Sequence, residues 1–529
     1  MNLKNDLLDR SSKSTNMKFI SLIKRGANLV KLGNAVREFR RAGSEEKKRW
    51  AKNYLTEALG ASRGIPAKVG QLMTMDSSDS EQRDILNQSI PPLSIEEVEE
   101  VLENGWGAPY SQFLSGLEPV GISASLGQVH FARLKDGREV AVKVQYPGIA
   151  KSVEAEMDLM GWLPRVGPVS KWGFNLEGYR DVFWENLNEE LDYLKEVEQQ
   201  KTYKELLTPI KEAIVPEVIS ELCRPGILVQ VKEEGFDIEQ AEKMVPDQKK
   251  AMGRALLKHY LHMIFHCGYV HADPHPGNFA FRKMGRDGFA VIIYDYGSVL
   301  KIPTEVRLVL LRMILALRRH ENLCPVDCLS AIGFDAEKLA DIRSALPALL
   351  SVLFEPFLQE APFLVKDWHL GDRFDRIAGD LKWWFRSAAP PNLIYLMRVL
   401  HGLATMLDRL DVPVSWFFFL DQTCGDLYTE AMQIVIPKGK DDSGVRFDGL
   451  SRYLKINVVK ANGNKVRLTM PARVADDLED VIEPDVLESI KRQNINLDEI
   501  QERVVKSGFV PQEVFQLVDE ERDVRVWLE

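Results

Sequence analysis

The stretch from Tyr269 to Gly297 constrains the chain more than any other. It holds His271-Ala272-Asp273-Pro274-His275-Pro276-Gly277-Asn278. A turn and an apolar strand, Val291-Ile292-Ile293-Tyr294, then run into Asp295-Tyr296-Gly297. Pro274 and Pro276 forbid a regular helix, so Asp273 and Asn278 must share a short loop. Asp295 ends a strand beside a glycine turn. Side chains placed in this way suit phosphoryl transfer. That chemistry needs one carboxylate near the attacking oxygen and an oxygen-rich pair to hold magnesium on phosphates. Asp273 fits the first role, as a base or as an orienter of the nucleophile. Asn278 and Asp295 fit the second. The plainer alternative makes Asp295 a strand-terminating aspartate without chemistry. His271 and His275 stand four residues apart, a spacing used by zinc-binding helices. The prolines remove the helix, and His271 reads as a residue that packs the loop.

The HADPHPGN run followed by Asp-Tyr-Gly resembles the atypical kinases of the UbiB/AarF/ADCK type, where ordinary protein kinases would carry His-Arg-Asp. Other signatures of that family stand in the same order along the chain. Lys68-Val69-Gly70-Gln71 matches KxGQ, Val140-Ala141-Val142-Lys143 matches the VAIK strand, and Glu190-Leu191-Asp192 matches ExD. The resemblance implies that Lys143 grips the α- and β-phosphates of a nucleotide. Kinases hold this lysine with a helix carboxylate, for which Glu185, Glu189 and Glu190 are the candidates. Lys68 and Gln71 fall one helical turn apart and share a face. In the family this extension lies over the docking place of a protein substrate, so phosphorylation of another protein is not the first expectation.

The nucleotide loop departs from the family pattern. An alanine-rich stretch is implied, but Gly121-Ile122-Ser123-Ala124-Ser125-Leu126-Gly127-Gln128 contains one alanine. Ser123, Ala124 and Ser125 are the candidates for phosphate contacts, with Ile122 adding bulk. Glu190 and, at the hinge into which the Gly226–Glu234 strand runs, Glu234 are the further candidates for nucleotide contact.

At 529 residues the chain is too long for one ordinary core. Domains are expected at 1–78 (a basic helical extension carrying KxGQ), 79–235 (a small lobe with inserted helices), 236–435 (a helical large lobe) and 436–529 (an appendage). The five cysteines are few and odd in number, which suits free thiols in a reducing compartment. Cys324 and Cys328 lack a second pair that would complete a metal site. No apolar run reaches the length of a membrane span, since Leu393 to Leu420 is broken by Arg398, Asp408, Arg409 and Asp411. With no secretory pattern at the N-terminus, a cytoplasmic protein, or one peripheral to a membrane, is expected.

The net charge of −10 conceals an asymmetry. Residues 1–72 carry sixteen Lys/Arg against six Asp/Glu, so the remaining residues must hold a net −20. Within the basic part, Phe19, Ile20, Ile23, Ala27 and Val30 recur at helical spacing among Lys18, Lys24, Arg25 and Lys31. Such a helix can lie on an anionic membrane surface or pack on its own domain. No nucleic-acid reading module accompanies the charge. Near the other end, Asn462-Gly463 between β-rich runs signals a hairpin, and an acidic helical tail is expected after it.

The expected fold is α+β: a protein-kinase-like, two-lobed domain with a helical N-terminal extension and a small C-terminal β-hairpin/helix appendage. The resemblance implies ATP and Mg as cofactors. It also implies a role in isoprenoid-lipid or quinone metabolism, with quinone-pathway proteins or an isoprenoid lipid as partners. Two other functions compete with this enzyme. One is a lipid- or partner-binding module gated by ATP without useful turnover. The other is a small-molecule kinase, against which KxGQ and ExD count.

Overall fold

The computed structural model of the protein describes residues 92–124, 126–150, 176–439 and 446–529, apart from 477, 479–481, 483, 494, 508 and 520–521. Lys68, Gln71, Ser125 and the basic segment 17–32 therefore lie outside the described residues. What is described falls into two compact units. One holds the residues up to 150, Leu187–Lys201 and Pro216–Glu233; the other holds 176–186, Thr202–Val215 and Glu234–Glu529.

The first unit opens on helix α1 (Ile95–Trp106). Ser94 and Glu97 form the reciprocal capping box that their spacing predicts, and Gly107 ends the helix in the left-handed region at φ 70°. Val98, Leu102 and Trp106 form its buried stripe. Strands β1 (Leu114–Leu117), β2 (Ile122–Ser123), β3 (Gly127–Leu134), β4 (Glu139–Gln145) and β6 (Ile227–Val231) make an antiparallel sheet in the order β1-β3-β4-β6, with β2 paired to β3. Val140, Val142 and Val144 alternate along β4 and are fully buried. This leaves Ala141, Lys143 and Gln145 on the opposite face of the strand. Helices α2 (Leu176–Glu190) and α3 (Tyr193–Leu206) follow β4, and the unit boundary runs through both.

The second unit begins after the hinge with α4 (Ile238–Glu242) and α5 (Pro246–Leu261), which ends in a π-helical turn from His262 to Cys267. Strand β7 (Tyr269–His271) pairs with β10 (Val299–Lys301). A hairpin of β8 (Phe279–Met284) and β9 (Gly288–Ile293) joins the short β5 (Ala213–Ile214). From α6 (Thr304–Arg319) to α7 (Leu393–Leu410) and α8 (Trp416–Cys424) the chain is helical, and these helices bury one apolar core with α5. No described helix is long and apolar enough to cross a membrane.

The C-terminal segment has its own core. The Asn462-Gly463 turn joins β11 (Tyr453–Lys460) to β12 (Lys465–Pro471), with Gly463 at φ 85°. The expected helical tail is helical only in part. Helices α9 (Pro484–Arg492) and α10 (Leu497–Lys506) are followed by two more strands, β13 (Gln512–Val518) and β14 (Arg522–Leu528). They extend the hairpin into a four-stranded sheet of order β12-β11-β14-β13. The reason is a period of two: Val524, Val526 and Leu528 are buried on one face. The density of acidic residues around them masked that alternation. The whole is a protein-kinase-like, two-lobed α+β fold with a C-terminal α/β appendage.

Candidate functional site

In the small lobe, the Lys143 ammonium donates to both carboxylate oxygens of Glu196, at 2.8 and 2.9 Å. The side chains retain only 15% and 2% of their exposure. The Tyr193 ring lies 4.9 Å below the same ammonium. Glu196 was not among the sequence candidates, which all sat on α2; it stands one turn into α3. Asp192 makes that placement possible. Its carboxylate accepts from the Leu194 amide at 3.0 Å, capping the first turn of α3. The Asp192 carbonyl then accepts from the Glu196 amide. Gln145, on the strand of Lys143, donates to the Leu191 carbonyl at 2.8 Å and ties the two elements together. The ExD segment thus holds the helix that holds the lysine. Glu190 is buried at the end of α2, and Glu189 accepts from Gln199.

The flanks of the candidate nucleotide loop pair antiparallel. Ser123 pairs with Gln128, and the Ala124 amide donates to the Gly127 carbonyl at 2.8 Å. That amide is engaged within the hairpin. A Cβ on Gly127 would stand 2.4 Å from the Val144 carbonyl oxygen and from the Tyr193 hydroxyl. Glycine is thus required there by strand packing, before any nucleotide is considered. Ile122 is 61% exposed.

In the large lobe the loop gathers Asp273 and Asn278. The Asn278 amide nitrogen donates to the Asp273 carbonyl at 3.0 Å and to its Oδ2 at 3.2 Å. Its own backbone carbonyl accepts from the Tyr294 amide, which ties the loop to the strand leading to Asp295. Asp295 Oδ1 accepts from the Gly297 amide at 2.9 Å, so the glycine turn orients the carboxylate. With Nδ2 turned to Asp273, Oδ1 is the atom of Asn278 left for a cation. Asn278 and Asp295 together offer the hard oxygen donors that magnesium takes, alongside water and phosphate. The Asp273 Oδ1 accepts from the Arg398 guanidinium of α7, a residue 125 positions away in the sequence.

His271 packs beneath this loop. Its Nε2 donates to the Asp295 carbonyl, which accepts only and so fixes the tautomer. Burial pushes the imidazole below its ordinary pKa, against the pull of Asp273 and Asp295. Tyr203 shares a hydrogen bond of 2.7 Å with His259, whose pKa burial lowers to about 3. Burial raises the Tyr203 and Tyr296 hydroxyls well above their ordinary values. These groups are neutral supports of the loop. At the hinge, the Glu234 carbonyl accepts from Arg282 twice, at 2.9 and 2.8 Å. Both lone pairs of that carbonyl are thereby engaged.

The profile of a family described as the ABC1 atypical kinase-like domain matches residues 85–324. Residues 85–324 belong to this ABC1 family. The UbiB/AarF/ADCK resemblance is thereby shown, and named relatives agree with it. Over 396 residues the chain is 24% identical to the atypical kinase coq-8, mitochondrial, of Caenorhabditis elegans, covering 73% of this chain and 51% of the relative. Over 390 residues it is 26% identical to the rat atypical kinase COQ8B, mitochondrial, covering 71% of each. Mouse AarF domain-containing protein kinase 1 is 33% identical over 264 residues, 48% of this chain and 50% of the relative. The chain thus spans about half the length of several relatives that it matches. A solved structure, Rv3197 with erythromycin from Mycobacterium tuberculosis, aligns at 23% identity and TM-score 0.49, covering 80% of this chain and 98% of that one.

Lys143, Glu190, Asp192, Asp273, Asn278 and Asp295 all fall within the ABC1 match. So does Glu196, which packing singles out. Tyr193, Glu196, Val197 and Gln200 form the buried stripe of α3, and a glutamate within a buried stripe demands a cation. Arg398 and Gly402 lie beyond the ABC1 match.

Proposed function

We propose that the chain is a magnesium-dependent, ATP-binding atypical kinase or ATPase. It acts in isoprenoid-lipid or quinone metabolism at a membrane surface. The observation that carries this reading is the tie of Asn278 to Asp273 on one side and to Tyr294, next to Asp295, on the other. That arrangement ties the loop of Asp273 and Asn278 to the strand end that leads to Asp295. In this reading Asp273 orients the attacking hydroxyl or water, Asn278 and Asp295 hold the cation, and Lys143 grips the nucleotide phosphates. Bound magnesium would neutralise charge developing on the phosphoryl oxygens. The family membership supports a kinase-type activity, and the names of the coq-8 and COQ8B relatives point toward the quinone pathway.

The competing reading, an ATP-gated binding module, draws support from the small lobe. There Ala124 closes its own hairpin and Lys143 already carries a full counter-charge. One experiment separates the two: nucleotide hydrolysis by the purified protein with magnesium, with and without anionic liposomes, beside Asp295→Asn. Turnover that the variant loses supports the enzyme, and its rise with liposomes supports the membrane surface. Nucleotide binding without turnover in either condition rejects the enzyme and leaves the module.

A further inference from the structure

We infer that Arg398 and Gly402 are positioning residues, which pin the reaction loop from α7 at Asp273 and Pro274. This inference rests on the reading of Asp273 as the reaction carboxylate. Arg398 and Gly402 stand four residues apart on one helix and share a face. Arg398 bonds the Asp273 carboxylate, and the two side chains keep 7% and 19% of their exposure. Because Asn278 holds Oδ2 and Arg398 holds Oδ1, the carboxylate is gripped from two directions. Gly402 supplies the steric contact. A Cβ there would stand 2.1 Å from the Pro274 Cβ and 2.2 Å from its Cγ. Any side chain at 402 therefore displaces the residue that follows Asp273.

The helix that makes both contacts is itself fixed. Leu396, Val399, Leu403, Leu407 and Leu410 sink its apolar face into the core of the large lobe. The loop thus takes its position from a packed element, which is what precise orientation requires. Arg398 meets the reaction through Asp273, whose carboxylate it holds.

The test compares Arg398→Gln, Arg398→Lys and Gly402→Ala with the natural protein. The readouts are steady-state hydrolysis of Mg·ATP and hydrogen exchange of the 271–279 backbone. Misplacing the carboxylate lowers kcat by about 10²-fold in Arg398→Gln and Gly402→Ala. The KM for ATP stays within about twofold, because only a transition-state contact is lost. Arg398→Lys recovers most of the rate by returning a cation. Exchange rises within 271–279 in the Gln and Ala variants while α5 keeps its protection. A raised KM with unchanged kcat in Arg398→Gln would overturn the inference and make Arg398 a nucleotide ligand. Unchanged loop exchange would overturn it as well. If the natural protein hydrolyses nothing, the proposed activity fails, and the exchange data alone decide the clamp. If Arg398→Gln does not fold, the Lys and Ala variants decide it.

Discussion

In the small lobe the proposed phosphate ligand is a cation, Lys143, held by an anion on a helix 53 positions away. In the large lobe the proposed reaction group is an anion, Asp273, held by a cation 125 positions away. The two lobes use the same device with opposite signs, and they differ in what completes it. Glu196 meets Lys143 through both oxygens and is nearly sealed from water. Asp273 divides its oxygens between Arg398 and Asn278 and keeps more exposure. On the proposed reading the small-lobe pair has more to do with folding, and the large-lobe group more with chemistry. Local spacing encodes the residues that would touch a ligand, while distant elements supply the residues that hold them.

The sharpest way to break this contrast is Asp295→Asn. Magnesium-dependent hydrolysis is expected to fall by about 10²- to 10³-fold, with unfolding little changed. Loss of folding together with activity would make Asp295 structural, like the small-lobe pair. Glu196→Gln probes the other side. It leaves a buried ammonium without its carboxylate, so the unfolding free energy should drop by about 3 kcal/mol. A denaturant midpoint equal to that of the natural protein would remove the folding role assigned to this pair.

Acid offers a third comparison. His259, His262 and His271 all belong to the large lobe, and burial lowers the pKa of each. Their folded values lie below the unfolded one, so the unfolded chain binds protons first. The stability they contribute is intact above about pH 6.5 and is lost as pH falls, down to about 3 for His259. Each contributes up to about 1.4 kcal/mol per pH unit in that window. Melting followed between pH 7 and 4.5 should show the large lobe losing stability steeply; a flat Tm would show that these imidazoles are hydrated. The smallest effect is expected far from both charged groups. Gly463→Ala places a side chain at φ 85°, which costs about 1 kcal/mol. This lowers the melting of the C-terminal sheet and leaves hydrolysis unchanged. A loss of turnover would tie the appendage to the reaction.

The relation between spacing and structure follows the same division. The Asp273–Asn278 loop was readable because two prolines and a five-residue separation leave the chain few ways to run. The capping box of Ser94 and Glu97 and the turn at Asn462-Gly463 were readable for the same reason. The partner of Lys143 was not, because α2 and α3 both carry glutamates and only packing selects between them. Arg398 was visible only as a charge that interrupts the apolar run from Leu393 to Leu420, and its contact with Asp273 depends on how α7 crosses the loop. Strands β13 and β14 were obscured by charge: Glu513, Asp519, Glu520 and Glu521 surround an alternation of apolar residues that decides the structure.

Strand β14 is made last of the four C-terminal strands, yet it lies between β11 and β13. The β11–β12 hairpin emerges from the ribosome roughly sixty residues ahead of it. At typical synthesis rates of about 5–20 residues per second, the apolar face of that hairpin waits several seconds for its central neighbour. During that interval Leu454, Ile456 and Met470 present a half-built sheet with an open edge, the kind of surface that chaperones and stray strands capture. Any change that slows translation between Lys460 and Arg522 lengthens the exposure.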